Sequence, residues 1–168
     1  TTTTASVADA IAKHGEGPHI EMLQDHHRDV GWASAVAQSI RAHWDAHGRG
    51  ERLLLSFHGI PQRLVDGGDP YADQCEASTV AIAEALGIPR SELLLTFQSR
   101  FGRERWLQPY TQQTLEALGA EGVRTIDVAC PGFAVDCLET LEEIAVENAH
   151  AFTAAGGGAL RHIPCLNA

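Results

Sequence analysis

The sequence predicts a three-layer α/β domain, in which helices flank a parallel sheet of about four strands. Short apolar runs rich in Leu, Ile and Val alternate along the chain with longer amphipathic segments. Apolar runs without strict polar alternation are typical of parallel strands that are covered on both faces. The alternating order of strands and helices favours right-handed crossovers and a Rossmann-like arrangement in one domain.

The strand candidates are the short apolar runs. Three of them, LLLSF (53–57), LLLTF (93–97) and IDVAC (126–130), are the main candidates. Two further candidates, 19–23 and 160–164, are shorter or less apolar.

The helix candidates are four amphipathic segments. The first carries Trp32, Val36, Ile40 and Trp44 at helical spacing, which indicates a face that packs on the sheet. Two others stop near glycines, which are common at helix C-termini. The four predicted helices span residues 30–46, 73–86, 110–118 and 136–151.

The predicted strand ends bring polar residues to one edge of the sheet. The three main strands are followed by His58-Gly59, by Gln98-Ser99-Arg100 and by Pro131-Gly132-Phe133. Open parallel sheets usually bind ligands beyond the carboxyl ends of their strands, so these residues define a candidate site. There, His58 could act as a base, could bind a divalent metal ion, or could be a structural histidine bonded to a loop.

The last predicted helix carries three glutamates on one face, because Glu139, Glu143 and Glu147 are spaced four residues apart. Like charges at this spacing repel by about 0.2–0.5 kcal/mol per pair. The glutamates therefore form either a solvated face or a path for cations, which carboxylates bind well. The spacing also favours a capping box between Asp136 and Glu139, which would make Glu139 structural.

The loop after the second main strand is rich in arginine and aromatic residues. Residues 97–110 contain three arginines interleaved with Phe101, Trp106 and Tyr110. Arginine pairs with carboxylates and aromatic rings stack on planar π systems, so the loop could hold a flat anionic molecule. Alternatively, the rings anchor the loop to the core. A nucleic-acid strand is disfavoured because the net charge is −10.

Composition restricts the other classes of site. The four cysteines, at 75, 130, 137 and 165, include no C-x-x-C pair, so we expect reduced thiols and no iron–sulfur cluster. No G-x-G-x-x-G follows a predicted strand, which disfavours a nucleotide-binding domain. No apolar run approaches the ~20 residues that span a bilayer, and the first residues lack a secretory-signal pattern. We therefore expect a cytoplasmic location.

Several sequence blocks, in this order, resemble the ferrochelatase family. The match is colinear from about residue 18 to the end and is closest to the proteobacterial members. The blocks are SFHGIP (56–61), GDPY (68–71), FQSRFG (97–102), WLQPYT (106–111), PGF (131–133), the acidic helix (136–147) and IPCLN (163–167).

This resemblance implies a fold and an activity. Ferrochelatases insert ferrous iron into protoporphyrin IX to form protohaem, in a cleft between two similar lobes. The chain resembles the second lobe, a single domain over 1–168 in which 1–17 belong to the lobe-connecting region. The first lobe and a final C-terminal helix are expected to be absent, which leaves open whether the chain is active alone. No tightly bound cofactor is expected, because iron is the substrate.

The resemblance also implies site residues. The family's catalytic histidine corresponds to His58 and its essential glutamate to Glu139, and both are candidate metal ligands. Glu143 and Glu147 match an acidic line proposed as a route for metal or protons, and Trp106 matches a tryptophan near the porphyrin pocket. Cys137 departs from the pattern, since some members carry a histidine there.

Other readings stay open at this point. Another class II chelatase would insert cobalt or nickel into a different tetrapyrrole, and a haem- or metal-binding module would bind without catalysis. The FQSR and PGF blocks favour the protoporphyrin enzyme. The expected partners are protoporphyrin IX, ferrous iron and the missing N-terminal lobe, without nucleic acid; peripheral contact with the inner membrane is left open.

Overall fold

The computed structural model describes residues 2–14, 17, 19–23 and 25–167. Its sheet has four strands in the spatial order β2-β1-β3-β4, and each pairing is parallel. The predicted α/β fold class is confirmed, and the candidate at 160–164 supplies the fourth strand. The strands are β1 (Arg52–His58), β2 (Leu93–Gln98), β3 (Thr125–Ala129) and β4 (Ala159–Ile163).

The described helices follow the predicted order and lie close to the predicted bounds. Three of the four predicted helices differ from the observed ones by one or two residues at either end. Two α-helices were not predicted, namely the first one, at residues 2–14, and a five-residue helix after β1 in which no residue is buried. The helices are α1 (Thr2–His14), α2 (Val30–His47), α3 (Gln62–Asp66), α4 (Tyr71–Leu86), α5 (Thr111–Ala120), a π-helix (Glu139–Asn148) and α6 (Ala149–Ala154).

One sequence-based prediction about these elements is wrong, and the bounds and type of one predicted helix need correction. Residues 19–23 form no strand; Leu23 is 87% exposed, and the side chain of His19 pairs with nearby Glu21 rather than facing a neighbouring strand. The predicted helix at 136–151 begins only at Glu139, and its first ten residues are a π-helix. A π-helix forms i→i+5 hydrogen bonds and is frequent at functional sites.

The core lies on both faces of the sheet. Alternation along β1 directs Leu53, Leu55 and Phe57 towards α2 and α4, whereas Leu54 contacts the opposite cluster. That second cluster contains apolar residues of α5, the π-helix and α6, among them the fully buried Phe152. The sheet is therefore the middle layer of three, as predicted. No helix in the described part of the chain is long and apolar enough to cross a membrane.

A buried carboxylate joins α2 to the sheet. The Asp127 side chain, on β3, is 1% exposed. Its oxygens accept hydrogen bonds from Trp44 Nε1 and Gly50 N, both at 2.8 Å, and from Arg161 Nε at 2.7 Å. A Cβ at Gly50 would lie only 2.8 Å from Asp127 Oδ2, which explains the glycine. The carboxylate thus fixes the end of α2 against β3 and β4.

Candidate active site

The carboxyl edge of the sheet brings the predicted site residues together. Because β1 lies between β2 and β3, His58 sits at the centre of this edge, directly beside Gln98 of β2. The His58 ring lies 6.4 Å from the rings of both Trp106 and Phe133, measured between centroids. The prediction that the strand ends converge on one site is confirmed. Phe133 was predicted at this edge as a residue that follows β3, although its ring was not predicted to lie near the histidine.

The backbone around His58 is closely held. His58 Nδ1 lies 2.6 Å from the carbonyl oxygen of Gly59, and Gly59 N donates to the Gln98 carbonyl at 2.8 Å. The Tyr71 hydroxyl donates to the His58 carbonyl, also at 2.8 Å. A Cβ at Gly59 would lie 2.9 Å from the Gln98 carbonyl oxygen and 3.2 Å from Trp106 Cε3. Glycine is therefore needed beside the histidine for close approach.

Glu139 begins the π-helix and belongs to the same site as His58. Its carboxylate accepts hydrogen bonds from Cys137 and from its own backbone N–H, and the charge of His58 acts on it as well. These interactions, with the Cys137 bond the largest, lower the pKa of Glu139, so the carboxylate is ionised at neutral pH. An ionised carboxylate here can take up a proton or bind a divalent cation.

The capping box predicted for Glu139 is wrong. The backbone N–H of Asp136, which Glu139 would have capped, donates to Asn167 Oδ1 at 2.8 Å. The Asp136 carboxylate accepts from Thr140 Oγ1 at 3.0 Å and from Asn167 Nδ2 at 2.6 Å. The IPCLN segment thus takes the place of the capping partner, which leaves Glu139 available for chemistry.

The other two glutamates of the predicted row differ from each other in their contacts. Glu143 accepts from Ser99 N at 2.6 Å and from Ser99 Oγ at 2.5 Å, so it ties the π-helix to the end of β2. Glu147 is exposed. Both line a cavity of about 480 Å³ together with Glu139. The prediction of one shared face is confirmed, but the carboxylate of Glu143 is already engaged with protein donors.

Gln98 connects the three strand ends to the π-helix. Its side chain is buried, with Oε1 accepting from Ser56 Oγ at 2.7 Å and from Cys130 Sγ at 3.6 Å. Its Nε2 donates to the Glu139 carbonyl oxygen at 2.7 Å. One amide therefore fixes where the π-helix, and with it Glu139, begins. The FQSR block contained this residue, but nothing in the spacing indicated its role.

The aromatic loop is partly anchored and partly open. Trp106 is half-buried, and its buried Nε1 has no hydrogen-bond partner among the described residues. The Arg100 guanidinium lies 5.2 Å above the Tyr110 ring, a cation–π contact. Phe101 is 82% exposed at the rim of the 480 Å³ cavity. Trp106 packs against the backbone at Gly59, whereas Phe101 faces outward. Binding of a flat anionic molecule by this loop stays a prediction.

A second, more apolar cavity of about 590 Å³ lies between α2 and the segments that follow β3 and β4. Trp32 and Val36 of α2 line it together with Phe133 and Leu166. The sequence analysis did not predict it, because its walls come from segments far apart in the chain. In the described part of the chain, no group of three or more His, Cys, Asp or Glu side chains is arranged to hold a metal ion.

Comparison with known proteins identifies what this chain resembles. The family model for ferrochelatase matches residues 1–168. The ferrochelatase of Stenotrophomonas maltophilia is 56% identical over 171 positions, which cover 100% of this chain and 53% of that protein. The ferrochelatase of Xanthomonas axonopodis pv. citri is 54% identical, over 100% of this chain and 54% of its own length. That of Thioalkalivibrio sulfidiphilus is 53% identical, over 89% of this chain and 41% of its own length. The chain spans about half the length of the curated relatives it matches.

Proposed function

This chain belongs to the ferrochelatase family, and we propose that it is the half of such an enzyme that carries the metal-inserting groups. The reaction is insertion of Fe²⁺ into protoporphyrin IX to form protohaem, the last step of haem biosynthesis. The observation that carries the proposal is the position of His58, at the end of a central strand and 6.4 Å from each of two aromatic rings, where its charge helps to lower the pKa of Glu139. The relatives are named ferrochelatases, which favours iron over the cobalt or nickel of other chelatases.

The chemistry requires proton acceptors next to a planar ligand. Each insertion replaces two pyrrole protons with one Fe²⁺, so two protons must leave the macrocycle. His58 takes one proton or binds the incoming ion, and Glu139 takes the other or docks the ion. Trp106, Phe133 and exposed Phe101 offer aromatic surface for the porphyrin plane.

The three glutamates Glu139, Glu143 and Glu147 contribute unequally to this reaction. Glu147 and Glu139 have carboxylates available to an ion or a proton that enters along the cavity. Glu143 instead holds the loop at Ser99, so it positions the π-helix that carries the other two glutamates and does not itself pass the ion through the cavity. A route through the cavity thus needs Glu147 and Glu139, while Glu143 keeps its contacts.

The remaining porphyrin contacts belong to a second lobe in this proposal. The relatives are about twice as long as the chain, which leaves room for a first lobe that forms the other wall of the cleft. Residues 1–17 would then be part of the connection between the lobes, and a final C-terminal helix would follow residue 168. A cytoplasmic location, peripheral contact with the inner membrane and the absence of a tightly bound cofactor stay predictions.

The test is zinc insertion into a soluble porphyrin, followed by absorbance. It uses the 168-residue chain alone and the chain joined to the first half of the Stenotrophomonas maltophilia relative, whose second half it matches at 56% identity. His58→Ala and Glu139→Gln should each slow the joined protein by roughly 100-fold or more, the usual contribution of acid–base groups. His150→Ala and Glu121→Gln, at exposed positions of α6 and the end of α5, are matched controls.

The outcomes separate the parts of the proposal. Activity of the chain alone, lost in His58→Ala, would mean that this half carries a sufficient site. Activity only of the joined protein would locate essential porphyrin contacts in the other half. A joined protein that keeps its rate after His58→Ala would contradict the assignment of the histidine.

A further inference from the structure

The hydrogen bond at the His58 ring defines which ring nitrogen carries the proton. His58 Nδ1 lies 2.6 Å from the Gly59 carbonyl oxygen, and a carbonyl oxygen can only accept. Nδ1 must therefore carry a hydrogen, and in the neutral ring Nε2 then has a free lone pair. A free histidine side chain in water prefers the opposite tautomer, so the protein has to hold the Gly59 carbonyl in place.

Three hydrogen bonds hold the backbone that presents this carbonyl. Gly59 N donates to the Gln98 carbonyl at 2.8 Å, and Leu107 N donates to the Ile60 carbonyl at 3.0 Å. The third comes from a side chain, because the Tyr71 hydroxyl donates to the His58 carbonyl at 2.8 Å. Only this third bond can be removed without changing the backbone.

The GDPY block explains how Tyr71 reaches the histidine. Asp69 Oδ1 accepts from Tyr71 N at 3.0 Å, which fixes the first turn of α4 next to the end of β1. Burial raises the pKa of the Tyr71 phenol, so its hydroxyl keeps the proton and remains a donor at neutral pH. The buried thiol of Cys75, one turn further along α4, also contacts this hydroxyl.

We propose that Tyr71 is a positioning residue: its hydroxyl locks the backbone at His58 and Gly59, so that the Gly59 carbonyl holds the ring as the Nδ1–H tautomer and leaves Nε2 unprotonated. Nε2 is then the atom that accepts a pyrrole proton or binds the incoming ion. This chemical consequence rests on the proposed function, whereas the tautomer can be measured without any activity.

The test is nitrogen-15 NMR of the histidine rings in the 168-residue chain, at alkaline pH where imidazole is neutral. The signals of His58 are assigned by their loss in His58→Asn. The wild-type ring should show the Nδ1–H pattern. Tyr71→Phe keeps the aromatic ring and removes only the hydroxyl, and it should lower the ratio of Nδ1–H to Nε2–H tautomers by about three- to tenfold, the range expected for one lost hydrogen bond.

Tyr110→Phe is the matched control. Its hydroxyl lies 3.3 Å from the backbone N and O of Trp106, and among the described residues it makes no hydrogen bond to the backbone of residues 58–60, so the His58 pattern should not change. A wild-type ring in the Nε2–H form would overturn the proposal, as would a folded Tyr71→Phe with an unchanged ratio. A second experiment incorporates fluorotyrosine into the Tyr110→Phe variant, which makes the hydroxyl at position 71 a stronger donor. The ratio of Nδ1–H to Nε2–H tautomers at His58 should then rise, and a lower ratio would refute the proposed role of Tyr71. A wild-type ring with the Nδ1–H pattern, together with a joined protein that keeps its rate after His58→Ala, would contradict the proposed function alone.

Discussion

Replacing either of two glutamates that lie four residues apart on the π-helix by alanine should change the stability of the chain to very different extents. Glu143→Ala removes a carboxylate that bonds Ser99 N, Ser99 Oγ and, at 3.3 Å, Gln98 Nε2. Glu139→Ala removes one whose bonds are local, to Cys137 and to its own backbone. We expect Glu143→Ala to destabilise the chain strongly and Glu139→Ala to leave its stability almost unchanged.

The magnitude follows from the contacts. A hydrogen bond to a charged group contributes about 1.5–3 kcal/mol, and Glu143 has two short ones at a half-buried position. Because Glu143 is partly exposed, we use the low end of that range for each bond, and we expect Glu143→Ala to lower the free energy of unfolding by about 2–4 kcal/mol. Glu139→Ala should change it by no more than about 0.5 kcal/mol, since it also relieves repulsion from Glu143.

Ser99 provides an internal check on this reasoning. Its φ is 62°, a left-handed conformation that costs a non-glycine residue roughly 1 kcal/mol and that the two bonds to Glu143 maintain. Once Glu143 is removed, Ser99→Gly should recover about 1 kcal/mol of the lost stability, because glycine adopts this conformation freely.

Urea unfolding of the 168-residue chain, followed by circular dichroism, measures these changes. Equal effects of Glu139→Ala and Glu143→Ala would refute the assignment of separate roles to the two carboxylates. A change below about 0.5 kcal/mol for Glu143→Ala would show that its bonds to Ser99 do not persist in solution.

Two further predictions concern the interface between α2 and the sheet. Asp127→Asn leaves the Arg161 guanidinium without its buried partner and should lower the free energy of unfolding, measured in urea, by about 3–5 kcal/mol. Glu92→Gln breaks the exposed pair with Arg49 and should lower it by at most about 1 kcal/mol. Similar decreases for the two variants would contradict the importance of burial. Burial lowers the pKa of His43 and of His162, outweighing the opposing effects of Asp127 and Asp136, so below about pH 6.5 the unfolded chain binds more protons than the folded one. The free energy of unfolding should therefore fall as the pH drops from about 6.5 through the lower pKa values of the folded state. A double His43→Gln, His162→Gln variant whose free energy of unfolding keeps the same dependence on pH would refute the assignment of this effect to the two histidines.

Local pattern was enough to predict most of the fold. The strand runs are apolar over several residues, and α2 repeats its apolar positions at helical spacing, so both could be predicted from neighbouring residues. The prediction at 19–23 failed because a strand needs a partner, which no local pattern reveals. The π-helix was missed because its extra residue per turn depends on bonds from elsewhere, such as Gln98 Nε2 to the Glu139 carbonyl.

The predicted capping box shows the same limit at the site. Spacing correctly indicated that the Asp136 N–H needs an acceptor, and Glu139 was the nearest candidate in sequence. Asn167, 31 residues away, supplies that acceptor instead. Sequence spacing can identify a polar group that needs a partner, but a partner brought by the fold competes with the local one.

The matched sequence blocks are informative about the site because they contact one another in space. Gly59 of the first block is small because Trp106 of a later block lies where a Cβ would meet its Cε3 at 3.2 Å. Gly132 of the PGF block is packed in the same way, since a Cβ there would lie 3.3 Å from Phe57 Cδ1. Tyr71 of GDPY bonds the carbonyl of His58 in SFHGIP. Each block thus supplies one side of a contact whose other side is in another block, and their joint occurrence in one chain specifies the geometry around His58 more closely than any block could alone.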